Sequence, residues 1–220
     1  MTDRRMLWWI DRAAGLTSLV LLTVVMVLGV LAIARPESTR PWRAVVQGLH
    51  RELPLVAGAL LTVHIFTAVI DSFVPLGPLD VVVPFIAGYR PLWIGLGTVA
   101  IDLLVVIIVT SLLRTRLGQG AWRIVHWSAY ALWPLAVIHA LGSGSDMHAA
   151  TVHRLGLLMV ASVVFAAGWR LISGGAPTPA RMVGLVAMLL LIAYGARWAS
   201  HGPLAPGWSK KALAAVVVVA

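Results

Sequence analysis

The chain has 220 residues, of which 60% are hydrophobic and only 11% charged, with a net charge of +9 and no cysteine. A soluble domain carries about a quarter charged residues, and a globule of this length cannot hide so much apolar surface, so lipid is the solvent for most of the chain. The missing thiols exclude disulfides, thiolate metal sites and iron–sulfur clusters, and the basic residues fall in short loops between apolar runs, which signals membrane orientation and no nucleic acid partner.

Six apolar runs follow one another, at residues 7–34, 49–70, 92–113, 124–141, 152–172 and 182–198. A helix needs about 20 residues to cross the hydrocarbon core, so the pattern predicts an all-α, polytopic membrane helix bundle of about six spans. The first run reads as a span rather than a cleavable signal peptide, because no small-residue cleavage site follows a short core. Proline and glycine mark the breaks: Pro36 and Pro41, then Pro75, Pro78, Pro84 and Pro91, then Gly118 and Gly120, Gly142 and Gly144, and finally Gly174, Gly175, Pro177 and Pro179. Residues 1–200 are expected to form one six-helix domain and 201–220 a tail, whose last segment, 216–220, is too short to span. No internal repeat is visible, and no glycine-rich phosphate loop follows a strand.

Orientation follows from Arg and Lys placement. Loop 1 holds Arg35, Arg40 and Arg43, loop 3 holds Arg114, Arg116 and Arg123, and loop 5 is flanked by Arg170 and Arg181. Loop 2 has only Arg90 against Asp71 and Asp80, and loop 4 has Asp146 with Arg154 near the next span. Loops 1, 3 and 5 are therefore expected on the cytoplasmic side of the cell membrane. Arg4, Arg5 and Arg12 at the N-terminus would then lie outside, with Asp3 and Asp11 offsetting two of them.

The histidines carry the chemistry. His50 and His64 lie in the second run, and His126 and His139 in the fourth. Ionisable groups inside a membrane are costly, and a functional reading is the default. A single such histidine is more often a hydrogen bonder between helices; two on each of two spans, at nearly equal spacing, change that balance. His50 and His64 are 14 residues apart, roughly 21 Å of rise and close to four turns, so both rings share one face. His126 and His139 are 13 apart, which on an ideal helix puts the second ring far round the cylinder. Pro134 lies between them, and the distortion it causes is expected to bring His139 back inward. The second and fourth spans run in the same direction, so His50 pairs with His126 near the cytoplasm and His64 with His139 toward the outside. Each pair can clamp one metal centre in the bundle. The levels are too far apart for one dinuclear site, and no carboxylate accompanies the pairs except Glu52, next to His50 and directed elsewhere. Two imidazoles are too few for structural zinc and suit a six-coordinate haem iron.

These residues resemble the ferric reductase-like transmembrane domain shared by ferric reductases, NADPH oxidases and bacterial relatives. Leu49-His50-Arg51 followed by His64, His126 followed by His139, and Trp8-Trp9-Ile10-Asp11-Arg12-Ala13-Ala14-Gly15 opening the first span carry the resemblance. It covers roughly residues 7–172. It implies that the four histidines ligate two b haems, that electrons pass from a cytoplasmic flavin toward the outer face, and that Arg12 corresponds to an arginine kept near the outer haem. Oxidases and eukaryotic reductases of this family continue into a flavin and nicotinamide domain, whereas this chain is expected to add a sixth span and stop. Its donor would then be another protein, a quinol or a free reduced flavin.

Other residues carry weaker signals. Arg40, Arg43, Arg51, Arg116 and Arg123 surround the inner level and could pair haem propionates; Arg51 and Arg123, nearest the ligands in sequence, are preferred, although topology signalling explains most of the set. Arg12 either anchors the interface beside Trp8 and Trp9 or holds an outer propionate or polarises an acceptor. His148 and His153, with Asp146, invite a surface iron-docking site, but such histidines are more often simply solvated. His201 reads as interfacial. Trp127 and Trp133 flank the fourth-span histidines, and Trp133 lies midway between levels, where packing is the simpler reading. Asp102 in the third span needs a partner, either Arg or a ligand imidazole.

The expected function is transmembrane electron transfer through two bis-histidine b haems, from a cytoplasmic reduced flavin, flavin reductase or other flavoprotein to an outer acceptor such as ferric iron, oxygen or a periplasmic or extracellular redox protein. A quinol-oxidising cytochrome b subunit of a periplasmic oxidoreductase is the first rival. A non-haem transporter or assembly factor, whose histidines only hydrogen-bond, is the second.

Overall fold

The computed structural model describes residues 2–34, 40–71, 74–144, 149–173 and 178–205. The described residues form helices and no strand: α1 (Thr2–Ala34), α2 (Arg40–Ile70), α3 (Pro78–Val82), α4 (Pro91–Leu112), α5 (Arg114–Leu117), α6 (Gln119–His126), α7 (Ala129–Ser143), α8 (Ala150–Ile172) and α9 (Pro179–His201). Among the described residues six stretches are long and apolar enough to cross a membrane: Met6–Ala32, Pro41–Ile70, Pro91–Leu112, Gln119–Ser143, Ala150–Ile172 and Pro179–His201. They coincide with the six runs of the sequence, and the chain is a multi-pass membrane protein.

The helix boundaries show which breaks matter. Pro41, Pro91 and Pro179 do not interrupt helices but begin them, since the first turn has no internal acceptor for a proline N–H to miss. α2 therefore starts nine residues before the predicted run, and Arg40 and Arg43 lie in its first turn rather than in loop 1. Thr178 caps α9, its Oγ1 accepting from Arg181 N at 3.4 Å. Arg35, Pro36, Asp146, His148, Gly174, Gly175, Pro177 and the segment 216–220 lie outside the described residues.

The fourth span is two helices, α6 and α7, separated at Trp127 and Ser128. Across the break Ser128 N bonds Val125 O at 3.0 Å, Tyr130 N bonds Trp127 O at 3.1 Å and Ala131 N bonds Ser128 O at 2.9 Å, all three residues back instead of four. Two causes converge. The Pro134 ring crowds the carbonyl of the preceding turn, and Ser128 Oγ competes for Val125 O at 2.7 Å. The distortion expected at Pro134 thus sits one to two turns before it.

The chain divides into two compact units, Met1–Met26 with His50–Ser143, and Val27–Leu49 with Gly144–Ala220. In the first, α1 and α2 approach through small residues: Ser18 is fully buried, and its Oγ donates to Ala14 O at 2.8 Å and reaches Ala57 O at 3.4 Å. Small side chains let helix backbones close in lipid, where no hydrophobic force does so. α4 packs along α7, with Gly142 receiving the Trp93 ring and Arg90 Nη1 donating to Gly142 O at 2.6 Å. α3 is tied to α4 by Thr98 Oγ1, which donates to Asp80 O at 2.8 Å. In the second unit α8 packs on α9, Gly184 lying against Leu171. That unit also holds a cavity of about 290 Å³ lined by Leu28, Trp42, Arg43, Gln47, Phe165 and Trp169, among others.

Candidate functional site

All four intramembrane histidines fall in the first unit. His50 on α2 and His126 at the end of α6 face each other with ring centroids 6.1 Å apart and planes at 73°. His50 Nδ1 donates to Val25 O of α1 at 3.1 Å. His126 is held differently. Trp122, one turn earlier on α6, stacks on it with centroids 4.8 Å apart and planes at 25°, and Trp122 Nε1 donates to Ser111 Oγ at 3.2 Å. His126 Nδ1 is buried without a hydrogen-bond partner.

His64 on α2 and His139 on α7 are the other two. His139 on α7 stands within electrostatic reach of His64, Arg12 and Asp11. Its Nδ1 donates to Trp93 O of α4 at 2.8 Å. His64 Nδ1 donates to Asp11 O of α1 at 3.0 Å, and Asp11 Oδ1 stands 2.7 Å from the same nitrogen. Each ring lies against a glycine of the neighbouring helix. A Cβ on Gly15 would meet His64 Nδ1 at 2.9 Å, and one on Gly97 would meet His139 Nδ1 at 2.5 Å. Only helix surfaces without a side chain at these two positions admit the rings.

The α6–α7 break turns His139 part of the way back toward the face that carries His126. Thirteen residues of ideal helix leave the second ring roughly 140° off the first. Each residue wound at three per turn adds about 20° of rotation, so the tightened turn over residues 128–131 recovers about half of that offset.

A carbonyl oxygen can only accept. At His50, His64 and His139 the hydrogen therefore resides on Nδ1, and Nε2 is left as the lone-pair nitrogen. A metal-binding imidazole ordinarily makes such a second bond, which fixes its tautomer and ring orientation. His50 and His126, with ring centroids 6.1 Å apart, would supply the two protein ligands that a haem needs beyond its own four nitrogens. Among the described residues no group of three or more His, Asp or Glu is placed to hold a bare metal ion. The donor set thus fits an iron whose other four bonds come from a porphyrin.

The remaining predicted residues are placed as follows. Arg12 lies next to Asp11, the residue that reaches His64, with Nε 3.9 Å from Asp11 Oδ2 and its guanidinium 5.8 Å from the Trp8 ring centre. Arg51 is 82% exposed and bonds the Glu52 carboxylate at 2.7 Å. Arg123 is exposed one turn before His126. Trp133 is buried, and its Nε1 donates to Thr23 Oγ1 of α1 at 2.9 Å. Trp127, expected to flank His126, is 64% exposed; Trp122 takes that place. Asp102 is exposed on α4 and meets neither an arginine nor a ligand imidazole among the described residues, contrary to the expectation of a partner. His153 is half-buried in the first turn of α8, and His201 Nδ1 donates to Arg197 O at 2.9 Å. The expectation that no carboxylate but Glu52 accompanies the pairs is corrected by Asp11, which reaches His64 across 53 residues of sequence. Asp11, Gly15, Gly97, Thr23 and Trp122 escaped the sequence reading; only the four-residue spacing of Trp122 and His126 signalled contact beforehand.

Six apolar helices among the described residues, with His50, His64, His126 and His139 carried by two of the spans, define a multi-pass membrane protein with histidines inside its spans. Residues 14–137, more than half of the chain, match the family described as ferric reductase like transmembrane component, and the chain belongs to that family. The matched stretch contains His50, His64 and His126; Arg12 and His139 lie two residues beyond its ends. No curated protein and no solved structure matches the chain. Domains of this family ordinarily bind haem and take part in transmembrane electron transfer with a redox partner.

Proposed function

We propose that the chain moves electrons across the cell membrane through two b-type haems, His50 and His126 ligating the inner iron and His64 and His139 the outer one. The observation that carries this reading is the carbonyl bond at Nδ1 of His50, His64 and His139, which leaves each Nε2 as a donor to a metal. The 6.1 Å separation of the inner rings supports it. With no cysteine in the chain, thioether attachment is ruled out and the haems are held without covalent links to cysteine. Held by these histidines, a haem would supply reversible one-electron transfer.

The chain's own residues do the rest. The backbone carbonyls of α1 and α4 hold three imidazoles in register. Gly15 and Gly97 let the neighbouring helices close on the outer rings. Trp133, midway along the span, fills the volume between levels and keeps water out. Arg12 serves the outer level, where a guanidinium pairs a propionate or draws in an anionic acceptor. Arg123 serves the inner level, and Arg51 joins it on leaving Glu52. Loops 1, 3 and 5 face the cytoplasm, so a reduced flavin or flavoprotein donates on that side and ferric iron, oxygen or a redox protein accepts on the other.

One observation favours a quinol as donor in a second reading. The cavity of the second unit offers Trp42, Phe165 and Trp169 to a flat ring and Arg43 and Gln47 to its oxygens, and Gln47 precedes His50 by three residues on α2. The central test is the absorption spectrum of the detergent-purified protein, oxidised and dithionite-reduced. The expected result is the split α band of low-spin b haem at two haems per chain. A colourless protein that takes up no haem refutes the reading and leaves the non-haem transporter. Reduction by a short-chain quinol, without flavoprotein, selects the second donor.

A further inference from the structure

Asp11 has no role in the reading above, yet its carboxylate is partly buried against the His64 ring. Its side chain is 15% exposed, at the start of a span, where an ionised group is costly. Oδ1 lies 2.7 Å from His64 Nδ1, while the Nδ1 hydrogen points to the Asp11 carbonyl and Oδ1 itself makes no directed hydrogen bond. One residue thus presents two oxygens to the back of one imidazole. Arg12 offsets the charge only in part, its Nε standing 3.9 Å from Oδ2. Among the described residues none of His50, His126 and His139 has a carboxylate at ion-pair distance, so His64 is the one of the four that does. Gly15, one turn after Asp11, admits the ring to this position.

We propose that Asp11 is a positioning residue that lowers the reduction potential of the outer haem through His64. The inference rests on haem ligation by His64. A fixed anion behind the ligand pushes electron density onto Nε2 and favours the iron state of higher charge, the ferric one. In the low dielectric of the bundle the effect is not screened as it would be in water. The functional sense is directional: the outer iron becomes the stronger reductant, suited to an acceptor that gains electrons reluctantly.

The experiment is a spectroelectrochemical titration of the purified full chain, with haem counted per chain. Asp11→Asn keeps the shape and removes the charge. It is expected to retain both haems and to shift the reduction equilibrium of one of them at least tenfold toward ferrous, 59 mV upward for one electron. The other midpoint stays, and Asp11→Glu restores most of the shift. Two haems with wild-type midpoints in Asp11→Asn overturn the inference while leaving the haem reading intact. A wild-type protein without haem overturns the haem reading itself. Should Asp11→Asn lose the outer haem, Asp11→Glu decides: a near-native midpoint supports the anion, and a midpoint raised by tenfold or more overturns it.

Discussion

Gly97→Ala tests the outer level with a single methyl group. The added Cβ would stand 2.5 Å from Nδ1, 2.6 Å from Cε1 and 3.0 Å from Cγ of His139. These are atoms of a rigid ring, so the ring must retreat by about 1 Å to reach ordinary contact. That retreat takes Nδ1 out of hydrogen-bond range of Trp93 O, from which it now stands 2.8 Å. The lost bond costs about 1 kcal/mol and the overpacking about 1–3 kcal/mol, against about 1 kcal/mol gained from alanine's better helix propensity. A net loss of about 1–3 kcal/mol follows. The effect on the iron is larger, because losing the outer partner of a metal-binding histidine weakens affinity by about 10–100-fold. Haem per chain, measured as the pyridine haemochrome, should fall by the outer haem alone while the inner spectrum persists. Gly195→Ala, where a Cβ meets nothing within 4 Å, is the control. If Gly97→Ala keeps both haems and the wild-type melting temperature, the ring does not sit where the packing argument requires.

The pairing itself is open to direct test. His64→Ala and His139→Ala should each abolish one and the same haem, and His50→Ala and His126→Ala the other, read from reduced-minus-oxidised spectra; loss of different haems by His64→Ala and His139→Ala breaks the pairing. The Trp133–Thr23 bond predicts an asymmetry in stability. Trp133→Phe leaves Thr23 still donating to Leu19 O at 2.7 Å, so this bond's loss contributes about 1 kcal/mol, whereas Thr23→Val leaves a buried indole N–H without its acceptor and costs about 1–3 kcal/mol. Thermal unfolding in detergent should show the double variant losing less than the two single losses combined.

The spans were legible because hydrocarbon thickness fixes their length, and each apolar run finds its helix within a few residues at most boundaries. The start of α2 was not, because Pro41 resembles a break and acts as a first-turn residue. That His50 and His64 share one face of α2 was legible from spacing, since four turns of helix bring them there, and both rings reach carbonyls of α1. The break before α7 was only half legible: Pro134 announced a distortion, but the competing Ser128 hydroxyl that helps locate it acts through a local bond with no periodic signature. Asp11, Gly15 and Gly97 were hidden for a different reason. Their partners lie far along the chain on other helices, and a single sequence records no such proximity.

The oxygens that receive His50, His64 and His139 belong to the main chain of residues 25, 11 and 93. No point substitution can delete a peptide oxygen. The aim of these three rings is therefore insulated from mutational drift at Val25 and Trp93 and is exposed only to changes that shift a whole helix. An engineer wishing to retune the centre would reach it through helix spacing, or through the one carboxylate that shares a residue with such an oxygen, sooner than by replacing the acceptors themselves.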